Sequence, residues 1–386
     1  MKRKPTMTTD MVPKNTHHAT PGHEPPAAVR AAGLIVALTL GLAILFIAFG
    51  LPAAKSGPHD VPIGISGPEA ANGQFADMLE QNAPGAFAVT YYPGEAALRT
   101  AILNRDVYGG IAVTPEGPTL LLASGGSPMV AQMLGQVGSG IAQHTGAPMR
   151  TVDLVPLPPD DPRGTGLGAS ALPLALAGLL PAVVLVIVFP QQVWLRFGAT
   201  VVFVGVVALT VAGVLHYVFG SIETNFWGVT AGLTLGALAT ALTLLGLGSL
   251  FGRVGLGVGS AAVMLLGNPL SGLASAPEVL PKGWGALGQW LPQGANATLL
   301  RSTAYFDGAG ATTAILVLTC WALVGMLLIL VAALRQRGTE WRRVTAPWAP
   351  AQPAIVPQAP RPAPATVPGL AAPAYFRDSS GEFHRR

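Results

Sequence analysis

The sequence predicts an α-helical polytopic membrane protein with six transmembrane helices and an extracytoplasmic α/β domain inserted between the first and second helices. Three observations carry that expectation. Only 10% of the 386 residues are charged and 51% are hydrophobic, with a mean hydropathy of +0.51, too apolar for most of the chain to be a solvated globule. The apolar residues fall into charge-free runs of about twenty, the length that crosses a hydrocarbon core of about 30 Å. One interval, 55–168, differs: it carries ten acids against five bases and alternates short apolar segments with turn residues.

Residues 1–30 are polar and basic at Lys2, Arg3, Lys4 and Lys14, without apolar periodicity, and read as a disordered cytoplasmic tail. His17, His18 and His23 lie there without an ordered frame, so no metal site is assigned to them. Residues 31–51 form the first transmembrane helix. A cleaved signal peptide is the alternative, since Ala53 and Ala54 are small, but the long leader and long core favour an anchor. Within the 52–168 domain, VPIGIS, AFAVTYY, YGGIAVT, PTLLLAS and TVDLVPL read as strands, and 72–81, 95–105 and 129–144 as helices.

The membrane domain, 169–334, reads as five further spans at 169–190, 197–220, 228–250, 254–275 and 312–334. The short connections 191–196 and 251–253 carry Arg196 and Arg253, and Arg335, Arg337, Arg342 and Arg343 follow the last span. By the bias of arginine towards the inner side, both termini and both arginine loops lie in the cytoplasm, and the acidic domain lies outside with the loop 276–311. The final stretch, 335–386, is basic and then rich in proline and alanine, and reads as a disordered tail.

That long loop is the unusual segment. Pro277, Pro281 and Pro292 forbid one continuous helix, while Trp284, Leu287, Trp290 and Leu291 recur at helical spacing. The pattern predicts short amphipathic helices at the outer membrane surface, with Trp284 and Trp290 in the interfacial belt and Lys282 and Arg301 near the polar edge. Pro281, Trp284, Trp290 and Pro292 are the candidate residues of this outer loop, which would border the exit of a pathway.

The residues offer no catalytic constellation, so the chain reads as no enzyme, with no cofactor or metal of its own. Gly138-Ser139-Gly140 lacks the spacing of a nucleophile elbow, and Gly125-Gly126-Ser127-Pro128 suits a turn and helix start better than a phosphate cradle. Glu95, Arg99 and Asp106 read as a solvated charged face. Cys320 is the single cysteine, which excludes an intrachain disulfide. The pI near 9.4 is a topology signal and not a nucleic-acid one. No predicted span holds Asp, Glu, Lys or Arg, so an intramembrane proton relay is missing and any transport draws its energy elsewhere. His216 and Asn268 are polar exceptions expected to cap or cross-link helices, and Gly232/Gly236, Gly248/Gly252 and Gly255/Gly259 have the spacing of close helix packing.

The VPIGIS opening, the YPGEAALRTAILNRDVYGGIAVT segment and PEVLP followed by LPQGANATLLRSTAYF carry a resemblance to the ABC transporter type 2 permeases, within them the phage-infection-protein-like group. The likeness covers about residues 31–334. It implies a permease subunit of an ATP-driven exporter in the plasma membrane, for a hydrophobic or amphipathic substrate, working as a homodimer or heterodimer of permeases. The chain has no G-x-x-x-x-G-K-[ST] loop, so ATP is expected on a separate ATP-binding subunit. The resemblance also implies that Trp194 and Arg196, between the second and third spans, face that ATPase. The alternative is a membrane receptor or adaptor whose external domain binds a ligand or envelope component. The lipid bilayer is a partner in either case; nucleic acid is not expected.

Overall fold

The computed structural model describes residues 26–146, 148–267, 269–273, 275–345, 375–377 and 383–385. After an apolar helix α1 (Ala27–Lys55) come β1 (Val61–Ser66), α2 (Glu69–Asn82), β2 (Phe87–Tyr92), α3 (Glu95–Leu103), β3 (Gly109–Thr114), β4 (Gly117–Leu122), α4 (Pro128–Thr145) and β5 (Arg150–Asp153). The segments read as strands each form one. They build a mixed sheet in the order β2-β1-β3-β4-β5, with only the β3–β4 pair antiparallel. β1 is an interior strand, flanked by β2 and β3, and is buried along nearly its whole length, as a strand covered by helices on both faces must be. Alternate residues then face opposite ways: Leu120 and Leu122 pack with α2 and α4, Leu121 with α3.

Five helices among the described residues are long and apolar enough to cross a membrane: Ala27–Leu51, Thr165–Val188, Val193–Tyr217, Phe226–Gly267 and Thr312–Arg337. In the second, α5 (Thr165–Ala169) leads into α6 (Ala171–Val188); the others contain α7 (Val193–Tyr217), α8 (Phe226–Ala262) with a closing π turn at Val263–Gly267, and α11 (Thr312–Thr345). Their exposed apolar faces need a lipid solvent. The connection expected at 191–196 is shorter than predicted, since α7 already begins at Val193 and takes Trp194 and Arg196 into its first turn.

The expected count of six spans is not reproduced. The fourth and fifth, 228–250 and 254–275, fall on the single 42-residue stretch Phe226–Gly267, which folds sharply at Gly252 (φ 64°, ψ −145°), a conformation that only glycine adopts readily. The arms double back on each other: Leu256 packs on Gly248, and Leu244 on Gly259, positions that a straight helix would hold about 12 Å and about 22 Å apart. The returning arm, 253–267, is itself about 22 Å long, short of a core of about 30 Å. Hydropathy reads apolarity and not where the backbone leaves the helix, so the run to residue 275 looked like a full crossing. Asn268 lies outside the described residues, as do His17, His18 and His23.

The larger correction concerns 276–311. It holds a 3₁₀ turn (Pro277–Val279), α9 (Trp284–Gln289) and α10 (Pro292–Tyr305), so short proline-punctuated helices are present. Pro292 starts α10 at its first position, where no amide partner is needed. Yet α10 does not lie on a surface. All of it except Gln293, Thr298 and Tyr305 is buried, packed along α8. Gly236 makes the close approach possible: a methyl there would sit 2.2 Å from Asn296 Cγ. α10 therefore enters the bundle from within, its end near Ser221 and the sheet, its start level with Gly236.

α11 continues beyond 334 to Thr345, and the described residues of the tail, 375–377 and 383–385, form an antiparallel strand pair, β6 (Tyr375–Arg377) with β7 (Phe383–Arg385), where the sequence predicted no order.

Candidate functional site

The sheet and the bundle share their cores. Ala276 and Val279, from the segment before α9, join Val61, Ile63 and Ile111 on the α2/α4 face of the sheet; Phe306, just past α10, joins Leu98, Ile102 and Leu121 on the α3 face. One segment thus supplies both faces of the sheet, and burial of those side chains, at about 1.5–3 kcal/mol for each large one, ties the α/β unit to α10.

Polar groups fasten the same junction. Arg301 of α10 is only 5% exposed, and its Nη2 points at the carbonyls of Gly272 (3.0 Å), Leu273 (2.6 Å) and Ser275 (3.0 Å). It does not lie near a polar edge. Ser127 caps α4 by accepting from the Val130 amide (3.3 Å) and donates to the Ser275 carbonyl (3.0 Å), so the Gly125–Pro128 motif is the turn and helix start its sequence indicated. Arg105, held at φ 66°, donates to the Thr298 carbonyl (3.0 Å) and Ser302 Oγ, with its guanidinium carbon 5.2 Å from the Phe306 ring centre. Tyr108 donates to Glu278 Oε2 at 2.9 Å. Burial, and then the Glu278 charge, pushes the Tyr108 hydroxyl well above the usual phenol range, so it stays a donor.

Asp161 fastens the other side of the junction. Oδ1 accepts from the Thr165 amide (2.8 Å) and hydroxyl (3.0 Å); Oδ2 accepts from the Gly166 amide (2.8 Å) and Ser221 Oγ (2.7 Å). The carboxylate caps α5 and holds the α7–α8 connection at once. Burial pushes its pKa up, but the bonds from Ser221, Gly166 and Thr165 outweigh that and leave it below the usual carboxylate range.

Beneath this junction runs a polar seam inside the bundle. A cavity of about 20 Å³, enough for about one water, is lined by Gly236 and Thr240 of α8, Ser271, and Gln293 and Asn296 of α10. Gln293 Nε2 and Asn296 Oδ1 are buried with no hydrogen-bond partner among the described residues. Above it, a cleft of about 430 Å³ opens between sheet and α9, lined by His59, Arg105, Tyr108, Glu278 and Lys282.

The residues expected to act together separate in space. Pro281 borders the 430 Å³ cleft and Pro292 the seam. Trp284 is half-buried, whereas Trp290 is 69% exposed and its carbonyl accepts from Trp321 Nε1 at 2.8 Å. Trp194 and Arg196 sit at the opposite end of the bundle, Trp194 half exposed and Arg196 buried at 2% exposure, so Trp194 alone of the two faces outward. Glu95 and Arg99 form an i,i+4 pair (2.6 Å), Ser139 bonds back to the Gly135 carbonyl, and His216 Nδ1 donates to the Ile222 carbonyl (2.6 Å), all structural roles. No family model, curated protein or solved structure matches the chain. The site therefore rests on its own geometry: Asp161, Arg105 and Asn296 had no signal in the sequence beyond their polarity, and Arg301 had only the polar edge it does not occupy.

Proposed function

We propose that the chain is the permease subunit of an ATP-driven exporter for a hydrophobic or amphipathic substrate, with ATP bound by a separate subunit. The observation that supports it most is the broken path through the bundle: a helix that turns back at Gly252, and a buried α10 that presents Gln293 and Asn296 to a seam beside α8. Interrupted helices with unpaired polar groups inside a bundle are where transporters hold their cargo, because irregular backbone at that depth is tolerated only against protein or a pathway. Apolar outer faces without a carboxylate relay favour an external energy source.

In this reading the protein sits in the cell membrane with both termini and the Arg253 end cytoplasmic, pairs with a second permease, and offers the exposed Trp194 turn to the ATPase. The α/β unit lies outside and, through Val279 and Phe306, moves with α10. The 430 Å³ cleft also favours a second reading, a receptor or adaptor that binds a ligand between sheet and α9, where His59 Nδ1 is buried without a partner among the described residues.

Purification in mild detergent, followed by reconstitution with the co-purifying ATPase, separates them. The permease reading expects ATP hydrolysis to rise on reconstitution and Asn296→Leu to depress transport of an amphipathic dye by about tenfold or more while leaving assembly intact, as loss of one buried polar contact made to cargo would. A stable protein with no ATPase, whose ligand response is lost on Tyr108→Phe, would instead make it a receptor.

A further inference from the structure

The end of the bundle remote from the sheet holds a second, larger space. A cavity of about 620 Å³ lies between α6, the first turn of α7 and the two arms that meet at Gly252. Its walls are Val183, Val186 and Ile187 of α6 and Leu256 of the returning arm. No carboxylate among the described residues lines it.

Into this apolar space the chain brings a cation. Arg196 is 2% exposed, yet its Nε and Nη2 have no hydrogen-bond partner among the described residues. Such a guanidinium is among the most expensive groups a fold can bury, since it loses its water and gains no counter-charge. Ser249 and Ser260, one on each arm of the folded helix, line the same cavity, and both hide hydroxyls that lack partners among the described residues. Arg253 stands exposed at the rim. At the other end of the bundle the buried Arg301 and the half-buried Arg105 are each met by carbonyls or a hydroxyl.

We infer that the cavity is a binding site for an anionic amphiphile, a carboxylate or phosphate carrying an alkyl chain. The guanidinium fork matches both headgroups, and the two serine hydroxyls supply further donors to the same oxygens. The valine, isoleucine and leucine walls take the chain, and the volume falls within the range of small-molecule pockets, about 300–1,000 Å³. Arg253 at the rim gives the headgroup a second cation on its way in. A neutral or zwitterionic amphiphile leaves the Arg196 charge less well balanced, so selectivity is for net negative charge. The site stands whether or not the chain transports anything: a membrane lipid and a water-borne amphiphile present the same chemistry.

The test uses the full chain, delipidated in neutral detergent, with thermal unfolding read during titration. Phosphatidylglycerol and oleate are expected to raise the midpoint; phosphatidylcholine and inorganic phosphate, lacking the net charge or the chain, are expected not to. A response to oleate alone marks a water-borne ligand, and one to phosphatidylglycerol as well marks a bilayer lipid; either supports the site. Arg196→Met removes the unpaired charge at similar length, so the ligand-free protein unfolds at the same or a higher temperature. Its apparent affinity for the anionic amphiphiles falls about tenfold to a hundredfold, the loss of charge-assisted hydrogen bonds. Should that variant not fold, Val186→Phe, which fills the apolar wall and leaves Arg196 in place, is expected to abolish the same response. Equal stabilisation by phosphatidylcholine and phosphatidylglycerol, or an undiminished oleate response in both variants, overturns the proposal.

Discussion

The two ends of the bundle treat their arginines in opposite ways. At the sheet end, Arg301 meets three carbonyls, Arg105 a carbonyl and a hydroxyl, Tyr108 the Glu278 carboxylate, and Asp161 four donors. At the Gly252 end, Arg196, Ser249 and Ser260 are buried in part or whole with atoms that have no partner among the described residues, around a cavity of about 620 Å³. A fully satisfied network rigidifies what it joins, while a partly satisfied one gains when something else completes it. The paired charges of the first end thus hold sheet and α10 together, while the unpaired guanidinium of the second is placed to receive an anionic ligand.

Substitutions at equivalent charges probe that contrast. Arg301→Met should be the most damaging, since it strands the carbonyls of Gly272, Leu273 and Ser275 at the point where the sheet meets the bundle; the expected loss is about 3–5 kcal/mol. Thermal unfolding in detergent reads it directly, against an Arg196→Met variant that loses nothing. Equal losses in the two would erase the distinction between the ends.

Asp161→Asn should cost less, about 2 kcal/mol, because the amide keeps one acceptor oxygen but turns a donor towards the Gly166 amide and Ser221 hydroxyl. It also sharpens the comparison through pH. The folded Asp161 carboxyl titrates below its ordinary value, so its contribution is fully present above about pH 4 and is lost as pH falls through the lower folded value. Unfolding midpoints measured from pH 6 downwards should therefore converge for wild type and Asp161→Asn in acid. A constant gap across that range would mean that Asp161 acts by shape and not by charge.

Much of the sheet end was legible from local pattern. VPIGIS and its four companion segments are short, apolar and β-branched or aromatic between turn residues, and each became a strand; Ser127 before Pro128 announced its helix. The small-residue spacing of Gly232 and Gly236 correctly indicated close packing, but the element received there is α10, not another apolar span. α10 itself, PQGANATLLRSTAY, does not lie at the surface the sequence predicted, because its polar residues look solvated until distant partners are brought up to them, 28 positions away for Arg301 and 193 for Thr298. The same non-locality hid Arg196. The family resemblance implied a contact for a partner there, and only the Gly252 fold, which lines one cavity with Arg196, Ser249 and Ser260, shows it inside the protein.

The central claim is that α10 is an internal element locked to the sheet. Hydrogen exchange on the full chain in lipid nanodiscs tests it most directly, by comparing the amides of α10 (Pro292–Tyr305) with those of β3 (Gly109–Thr114) and of the more exposed α9 (Trp284–Gln289). The account predicts that α10 and β3 exchange together and slowly, and that both lose protection together in Arg301→Met, while α9 exchanges fast throughout. Exchange of α10 at the rate of α9, with β3 still protected, would contradict it and return the segment to the membrane surface.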